Sequence, residues 1–168
     1  RASFYHDYNY QINTQTAGAE GNNKPGSFTD HAGNSVTCTS GERIQIDYEY
    51  PRCSVSGGSS AWTNGSRTVK GTCSDTGGSN CVGNISHTYS SDINTTTGGA
   101  AGNGNGGSIR DKADNVTACA ANQTVKVDRT MPYVTVDKAP GTYESNDDIK
   151  VTATCHDDLS GLSGTFVK

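Results

Sequence analysis

The chain has 168 residues and a formal charge of −4, and its Lys and Arg residues are scattered without forming a basic stripe. This pattern excludes nucleic acid and anionic membranes as electrostatic partners, and no apolar run is long enough to cross a bilayer. Leu, Ile, Val and Phe are scarce, so any hydrophobic core is thin. Six Cys and eight Tyr, with short β-branched runs, nevertheless favour an ordered, cross-linked β protein over a disordered chain.

The sequence repeats itself with a period of about 81 residues, since 4–47 aligns on 85–128 without a gap. A period of this size, with β-branched runs between turn residues, predicts one β-sandwich module per repeat. We therefore divide the chain into a first segment (1–48, the C-terminal half of a module), a central segment (49–129, a complete module) and a third segment (130–168, the N-terminal half of a further module). Each half-module is expected to complete itself against neighbouring chain, either covalently continuous or from another subunit. The clearest recurring pairs are Asp30 and Asp111, Cys38 and Cys119, Asp47 and Asp128, and Pro51 and Pro132.

Short β-branched runs mark the predicted strands of the central segment, and no 3.6-residue periodicity indicates a helix. The glycine-rich run 98–107 predicts a loose loop. Asp-x-Ala-Gly-Asn at 30–34, varied at 111–115, predicts a hairpin that joins the last two strands of a module. Residues 129–131 before Pro132 predict a short, stiff linker. The strands are expected near 52–56, 67–74, 82–90, 92–97, 106–111 and 115–128.

The order of these motifs resembles the bacterial immunoglobulin-like repeats of large extracellular surface proteins and adhesins. The motifs are Cys-x-Asp, a Tyr-Ser strand, Asp-x-Ala-Gly-Asn, and Val-x-Val-Asp-x-Thr-x-Pro at 125–132. The likeness covers essentially the whole chain. It implies tandem seven-strand Greek-key sandwiches in a multidomain stalk, in some cases with Ca²⁺ between modules, and it implies no catalysis.

The cysteines lack the close spacing of zinc modules and favour structural disulfides in an oxidising compartment outside the cell. Two of them, Cys38 and Cys155, are expected to pair with cysteines outside the chain. The central segment contains the other four, which allow three pairings: Cys53, Cys73, Cys81 and Cys119.

The third segment bears on the choice of pairing. It keeps Cys155, but the places of Cys53 and Cys81 hold Val134 and Ser163 or a neighbour of Ser163. The loss of one complete disulfide would explain why both cysteines are missing, so Cys53 and Cys81 are predicted to be partners. The favoured pairs are Cys53–Cys81 and Cys73–Cys119, and the alternative is Cys73–Cys81 with Cys53–Cys119.

Acidic residues lie near the predicted module junctions, where hard oxygen ligands would hold Ca²⁺ and stiffen a stalk. The alternative interpretation is turn chemistry, in which Asp accepts from nearby backbone amides. Trp62 is considered as a ligand-binding platform, against the alternative of an aromatic that covers the sandwich end. No catalytic constellation is predicted. The candidate calcium ligands are Asp47, Asp128, Asp75 and Asp157.

These features predict a non-catalytic structural or adhesive module of an extracellular bacterial surface protein or filament, acting as a stiff stalk on the cell surface or in a secreted assembly. The expected partners are neighbouring repeats of the same protein or identical subunits, with a host or cell-surface glycan or protein as a further partner. The alternative function is an accessory spacer or carbohydrate-binding module of a secreted multidomain enzyme.

Overall fold

The computed structural model describes residues 1–76, 78–138, 140–145 and 148–164, so the end of the third segment lies outside the described residues. Within these ranges the chain is all-β, as predicted, with fifteen strands and no helix. The strands are β1 (Ile12–Gly18), β2 (Gly21–Asn22), β3 (Ser27–Thr29), β4 (Ser35–Thr37), β5 (Glu42–Ile46), β6 (Arg52–Ser56), β7 (Arg67–Ser74), β8 (Ile85–Tyr89), β9 (Ile93–Gly99), β10 (Gly102–Asn103), β11 (Ser108–Arg110), β12 (Val116–Ala118), β13 (Gln123–Val127), β14 (Tyr133–Val136) and β15 (Ala153–His156).

The central segment contains two three-stranded antiparallel sheets and a hairpin. One sheet has the strand order β6-β7-β8, the other has the order β10-β9-β13, and β11 pairs with β12. The first segment has a β2-β1-β5 sheet and a β3-β4 hairpin, and the third segment has the β14-β15 hairpin. The strands predicted at 52–56 and 67–74 are confirmed by β6 and β7.

The two sheets of the central segment share one small hydrophobic core. Alternation along β7 and β13 places Val69, Val125 and Val127 in this core, and all three are fully buried. Tyr89 and Ala100 complete the cluster. Burial of a valine side chain contributes about 1.5–3 kcal/mol. A core with so few large side chains therefore depends on further constraints to hold the sheets together.

Structural detail recurs at the spacing of the sequence repeat. Strands β1 to β5 begin and end one repeat period before β9 to β13. The Tyr8 hydroxyl donates to Gly18 O (3.0 Å) and accepts from Gly18 N (2.9 Å), and Tyr89 makes the same two bonds with Gly99 (3.0 and 2.9 Å). The first segment therefore has the same local backbone organisation as the second half of the central segment.

The glycine-rich run 98–107, predicted as a loose loop, is a loop only in part. Gly98 and Gly99 end β9, and Gly102 and Asn103 form β10. A Cβ at Gly98 would lie 2.6 Å from Val125 Cγ2, so the absence of a side chain lets β9 approach β13 closely. Glycine here serves packing rather than flexibility.

The single strand predicted at 115–128 is wrong, because this stretch forms β12 and β13 in two different sheets. The hairpins predicted at 30–34 and 111–115 are present, but they join β3 to β4 and β11 to β12. In the central segment β13 follows β12, so the hairpin does not join the last two strands. The β-branched residues of this stretch lie at 116–117 and 124–127, and the chain changes sheets across 118–123, where no residue is β-branched.

The disulfides are Cys53–Cys119 and Cys73–Cys81, so the favoured pairing, Cys53–Cys81 with Cys73–Cys119, is wrong and the alternative is observed. Strand β12 lies against β6, and the residue after β12, Cys119, has its Cα 5.4 Å from that of Cys53. The short loop after β7 returns Cys81 to within 6.0 Å of Cys73. Both distances suit a disulfide.

The two cysteines missing from the third segment are counterparts of members of different bridges, so their joint loss does not make them partners. Val134, and Ser163 or a neighbour of it, stand in place of one member from each bridge, Cys53 and Cys81, and Cys155 is a free thiol. Cys38 is also free, and both free thiols are half-buried. Their expected partners outside the chain stay a prediction.

Removal of the Cys53–Cys119 bridge should destabilise the protein more than removal of Cys73–Cys81. The two bridges have sequence separations of 66 and 8 residues. Loop-closure entropy gives roughly 4 kcal/mol for the longer loop and roughly 2.5 kcal/mol for the shorter one. Urea unfolding of C53A/C119A and of C73A/C81A should therefore give the lower midpoint for the first variant. The reverse order would show that native-state contacts, and not the unfolded chain, determine the effect.

Candidate functional site

The 47–51 linker between the first and central segments is held by side chains from both. The Gln11 side chain donates through Nε2 to Asp47 Oδ1 (2.9 Å) and accepts through Oε1 from Tyr48 N (2.9 Å). From the central segment, Asn115 Nδ2 donates to the carbonyl oxygens of Asp47 (3.1 Å) and Glu49 (3.0 Å). Polar groups of the linker backbone are therefore paired with side chains from the segments on both sides of it.

Asp47 is the residue at which most of these contacts meet. Its Oδ2 accepts from Ser79 N (2.9 Å) and its Oδ1 accepts from Glu49 N (3.0 Å). Ser79 Oγ in turn donates to Asp75 Oδ2 (3.4 Å). Hydrogen bonding with Ser79 is the main influence that lowers the pKa of Asp47, and partial desolvation opposes it. Asp47 is therefore ionised at neutral pH.

Three carboxylates converge beside this linker. Asp47 belongs to the linker, Asp75 follows β7 and Asp111 follows β11, and one oxygen of each lies within 4.8 Å of the others. Asp111 is fully buried, and the other two are half-buried. The structure thus brings together two of the predicted calcium ligands, Asp47 and Asp75, with a third carboxylate that the sequence analysis did not include in the set.

Asp111 occupies this position because it organises the β11–β12 hairpin. Its Oδ1 accepts from Ala113 N (2.8 Å) and Asn115 N (2.9 Å), and its Oδ2 accepts from Asn115 Nδ2 (2.9 Å). Asp30 makes the same bonds in the first segment. The repeated motif was visible in the sequence, but it indicated only a hairpin, because the approach of that hairpin to a linker is a tertiary property.

We call Asp47, Asp75 and Asp111 the acidic cluster. Its carboxylate oxygens are of the type that binds a hard divalent cation, since Ca²⁺ is bound by carboxylate and carbonyl oxygens. Hydrogen bonds to ligating carboxylates are usual in such sites. The same amide hydrogen bonds are also what turn chemistry alone provides. The geometry of the described residues is therefore compatible with both interpretations of the sequence.

The second linker, at 128–132 between the central and third segments, repeats part of this arrangement. Asp128 Oδ2 accepts from Ser160 N (2.9 Å), and Asp157 Oδ1 accepts from Ser160 Oγ (3.4 Å). Asp128 and Asp157 therefore meet at Ser160, as the carboxylates of the first linker meet at Ser79. Among the residues that the structure describes, no third carboxylate joins this pair.

Trp62, the candidate ligand platform, is half-buried beside the last strand of the central segment. The ammonium group of Lys126 lies 5.4 Å from the Trp62 ring centroid, at a distance typical of a cation–π contact. A ligand that stacks on this ring face would have to displace Lys126. Binding at Trp62 stays a prediction.

No family model matches the chain, and no significant match was found among curated proteins or among solved structures. None of the described residues belongs to a helix that is long and apolar enough to span a membrane. The two disulfides are compatible with an oxidising extracellular environment. The geometry of the linkers is therefore the main basis for a functional proposal.

Calcium titration separates the two interpretations of the acidic cluster. If the cluster binds Ca²⁺, the ion should raise the melting temperature, with a stabilisation of about 2.7 kcal/mol at a hundred times the Kd. D75N should lose this response, because the amide keeps the shape of the side chain and removes its charge. The hydrogen bond that Asp75 accepts from Ser79 Oγ is long (3.4 Å), so its alteration should cost little. The measurement is differential scanning calorimetry with calcium, with magnesium and with a chelator.

D114N is the matched control for this titration. Asp114 lies in the same hairpin but forms an exposed ion pair with Arg110 (3.1 Å), so the calcium response should survive this change. An identical melting temperature with calcium and with chelator in the wild-type protein would leave turn chemistry as the whole role of the cluster.

Proposed function

We propose that this chain is a non-catalytic, load-bearing part of an extracellular protein, in which tandem immunoglobulin-like Greek-key sandwiches form a stiff stalk. The observation that carries the proposal is the hydrogen bonding of the linkers. Side chains from the segments on both sides bind the first linker, and the bond from Ser79 N to Asp47 recurs one repeat period later from Ser160 N to Asp128.

Stiffness follows from the number and placement of these bonds. Rotation of the first segment against the central segment has to break either the bonds of Gln11 to the linker or those of Ser79 and Asn115 to it. Pro51, which is fully buried, fixes one more backbone angle at the entry to the central segment. A linker with these restraints transmits orientation from one module to the next.

A stalk in an exposed setting also suits the way the modules are stabilised. The small core of the central segment is reinforced by two disulfides, which persist outside the cell and not in a reducing cytoplasm. Two sheets around a common core, with matching strand bounds one repeat period apart, support the sandwich-repeat interpretation. The likeness of the sequence to bacterial surface repeats supports a position on a bacterial surface or in a filament.

The rigidity of the first linker can be measured by residual dipolar couplings of the first and central segments in dilute solution. A common alignment tensor is expected for the wild-type protein. N115A should separate the two tensors, because the variant loses both hydrogen bonds from this side chain to the linker carbonyls. With the bond to Asp111 also lost, the cost in stability should be roughly 1–3 kcal/mol.

N34A provides the matched control. Asn34 makes the corresponding hairpin bond to Asp30 (2.8 Å) in the first segment, and the hydrogen bonds described for it go to Asp30 rather than to the linker. This variant should lower the stability of its hairpin and leave the two tensors aligned. Separate tensors in the wild-type protein itself would contradict a stiff stalk.

A further inference from the structure

The stretch 78–82, between β7 and β8, connects the first linker to the central segment. Ser79 N donates to Asp47 Oδ2 (2.9 Å), and this bond joins the stretch to the linker. At its other end the stretch pairs with the β11–β12 hairpin, because Val82 N donates to Arg110 O (3.0 Å). We call 78–82 the linker clamp. The clamp therefore contacts both the linker and the hairpin that also binds the linker.

Packing against the hydrophobic core does not fix the linker clamp. Among the residues between β7 and β8 that the structure describes, 75–76 and 78–84, none is buried. Val82 is the large aliphatic side chain of this group, and it is 60% exposed. Each hydrogen bond of the clamp contributes only about 0.5–1.5 kcal/mol. The position of the clamp therefore depends on a restraint other than apolar burial.

The Cys73–Cys81 disulfide provides this restraint. Cys73 belongs to β7, the strand that places Val69 in the core, and Cys81 belongs to the clamp, two positions after Ser79. The bridge spans a sequence separation of only 8 residues, so it confines Ser79 to a small region beside β7. The disulfide thus connects the folded core to the residue that binds the linker.

The second linker is bound in a corresponding way by the third segment, whose only cysteine is a free thiol. There Ser160 N makes the bond to the linker, and Asp157 Oδ1 accepts from Leu159 N (3.2 Å) and Gly161 N (2.6 Å). A tight turn therefore fixes the serine from both sides. The corresponding stretch of the central segment, 75–79, is one residue longer and is closed by the disulfide. The two linkers thus depend on different local restraints.

We propose that the Cys73–Cys81 bridge is a redox-sensitive restraint, and that opening it with a dithiol reductant releases the first linker while the central segment stays folded. The inference rests on the proposed function in taking the first linker to be stiff while the bridge is closed. In the reaction the S–S bond breaks and each sulfur gains one hydrogen from the dithiol, which becomes a disulfide. The reductant is a small dithiol or the Cys-x-x-Cys site of a thiol–disulfide oxidoreductase.

The two bridges of the central segment differ in the way that selective opening requires. Cys53–Cys119 has a sequence separation of 66 residues, and Cys119 is only 8% exposed. Both members of Cys73–Cys81 are half-buried. A longer loop makes a disulfide more stabilising, and burial shields a sulfur from an attacking thiolate. The dithiol should therefore open Cys73–Cys81 first and leave the sheets joined by the core and by Cys53–Cys119.

The test compares C73S/C81S with its parent, both in a C38S/C155S background. The background removes the two free thiols and is the matched control, because it contains the same kind of substitution away from the bridge. In C73S/C81S the exchange rate of the Ser79 amide should rise by about tenfold or more, the change that corresponds to a lost restraint of about 1.4 kcal/mol. The amides of Ser160 and of β9 and β13 should keep their exchange rates, as measured by NMR.

Residual dipolar couplings of the same two proteins report on the linker itself. The parent should show one alignment tensor for the first and central segments, and C73S/C81S should show two. Stepwise reduction of the parent with dithiothreitol, followed by alkylation and peptide mapping, should label Cys73 and Cys81 before Cys53 and Cys119. The Ser79 amide should lose protection at the same reductant concentration.

An unchanged Ser79 amide in C73S/C81S would overturn the proposal. Loss of protection in β9 and β13 together with Ser79 would also overturn it, because the bridge would then be needed for the module and not for the linker. Labelling of Cys53 and Cys119 first would contradict selective opening. Two tensors in the parent would instead contradict the stiff stalk, and the Ser79 amide would still decide whether the bridge restrains the clamp.

Discussion

The contact between two small sheets through Val69, Val125 and Val127 is the constraint on which the rest of the structure depends. Three valines and a few neighbours bury too little apolar surface to fix two sheets by themselves. The sheets are held together further by features that bury little additional apolar surface. Glycine at position 98 lets strands approach closely, a Tyr hydroxyl bonds to the backbone at Gly99, and two disulfides limit the freedom of the unfolded chain.

The first linker, like the core, is held by contacts that bury little apolar surface. At the first linker, carboxylate and amide side chains pair with backbone groups of the chain between the segments. Asp47 and Asn115 are central to this arrangement, because each joins the linker to a different part of the central segment.

Much of the local structure could be predicted from the sequence. The bounds of β6 and β7 follow from short runs between turn signals in which residues such as Cys53 and Val55 alternate with polar ones. The Asp-to-Asn hairpins follow from residues that tolerate positive φ, as Gly33 and Asp114 do. The structure of 98–107 could not be predicted, because glycine permits both flexible loops and close packing, and only the neighbouring Val125 decides between them. The disulfide pairing could not be predicted either, because loss of the Cys53 and Cys81 counterparts carries no information about which sulfurs are adjacent.

By itself, the sequence determined the all-β class, the repeat period and the acidic residues at the linkers, since these depend on composition, alternation and self-similarity along the chain. Only the tertiary structure decided which strands share a sheet, that Cys119 meets Cys53, and that Asp111 joins Asp47 and Asp75. The physical reason is distance along the chain. These contacts join residues separated by tens of positions, and their geometry is set by how two sheets and a hairpin pack rather than by any local preference.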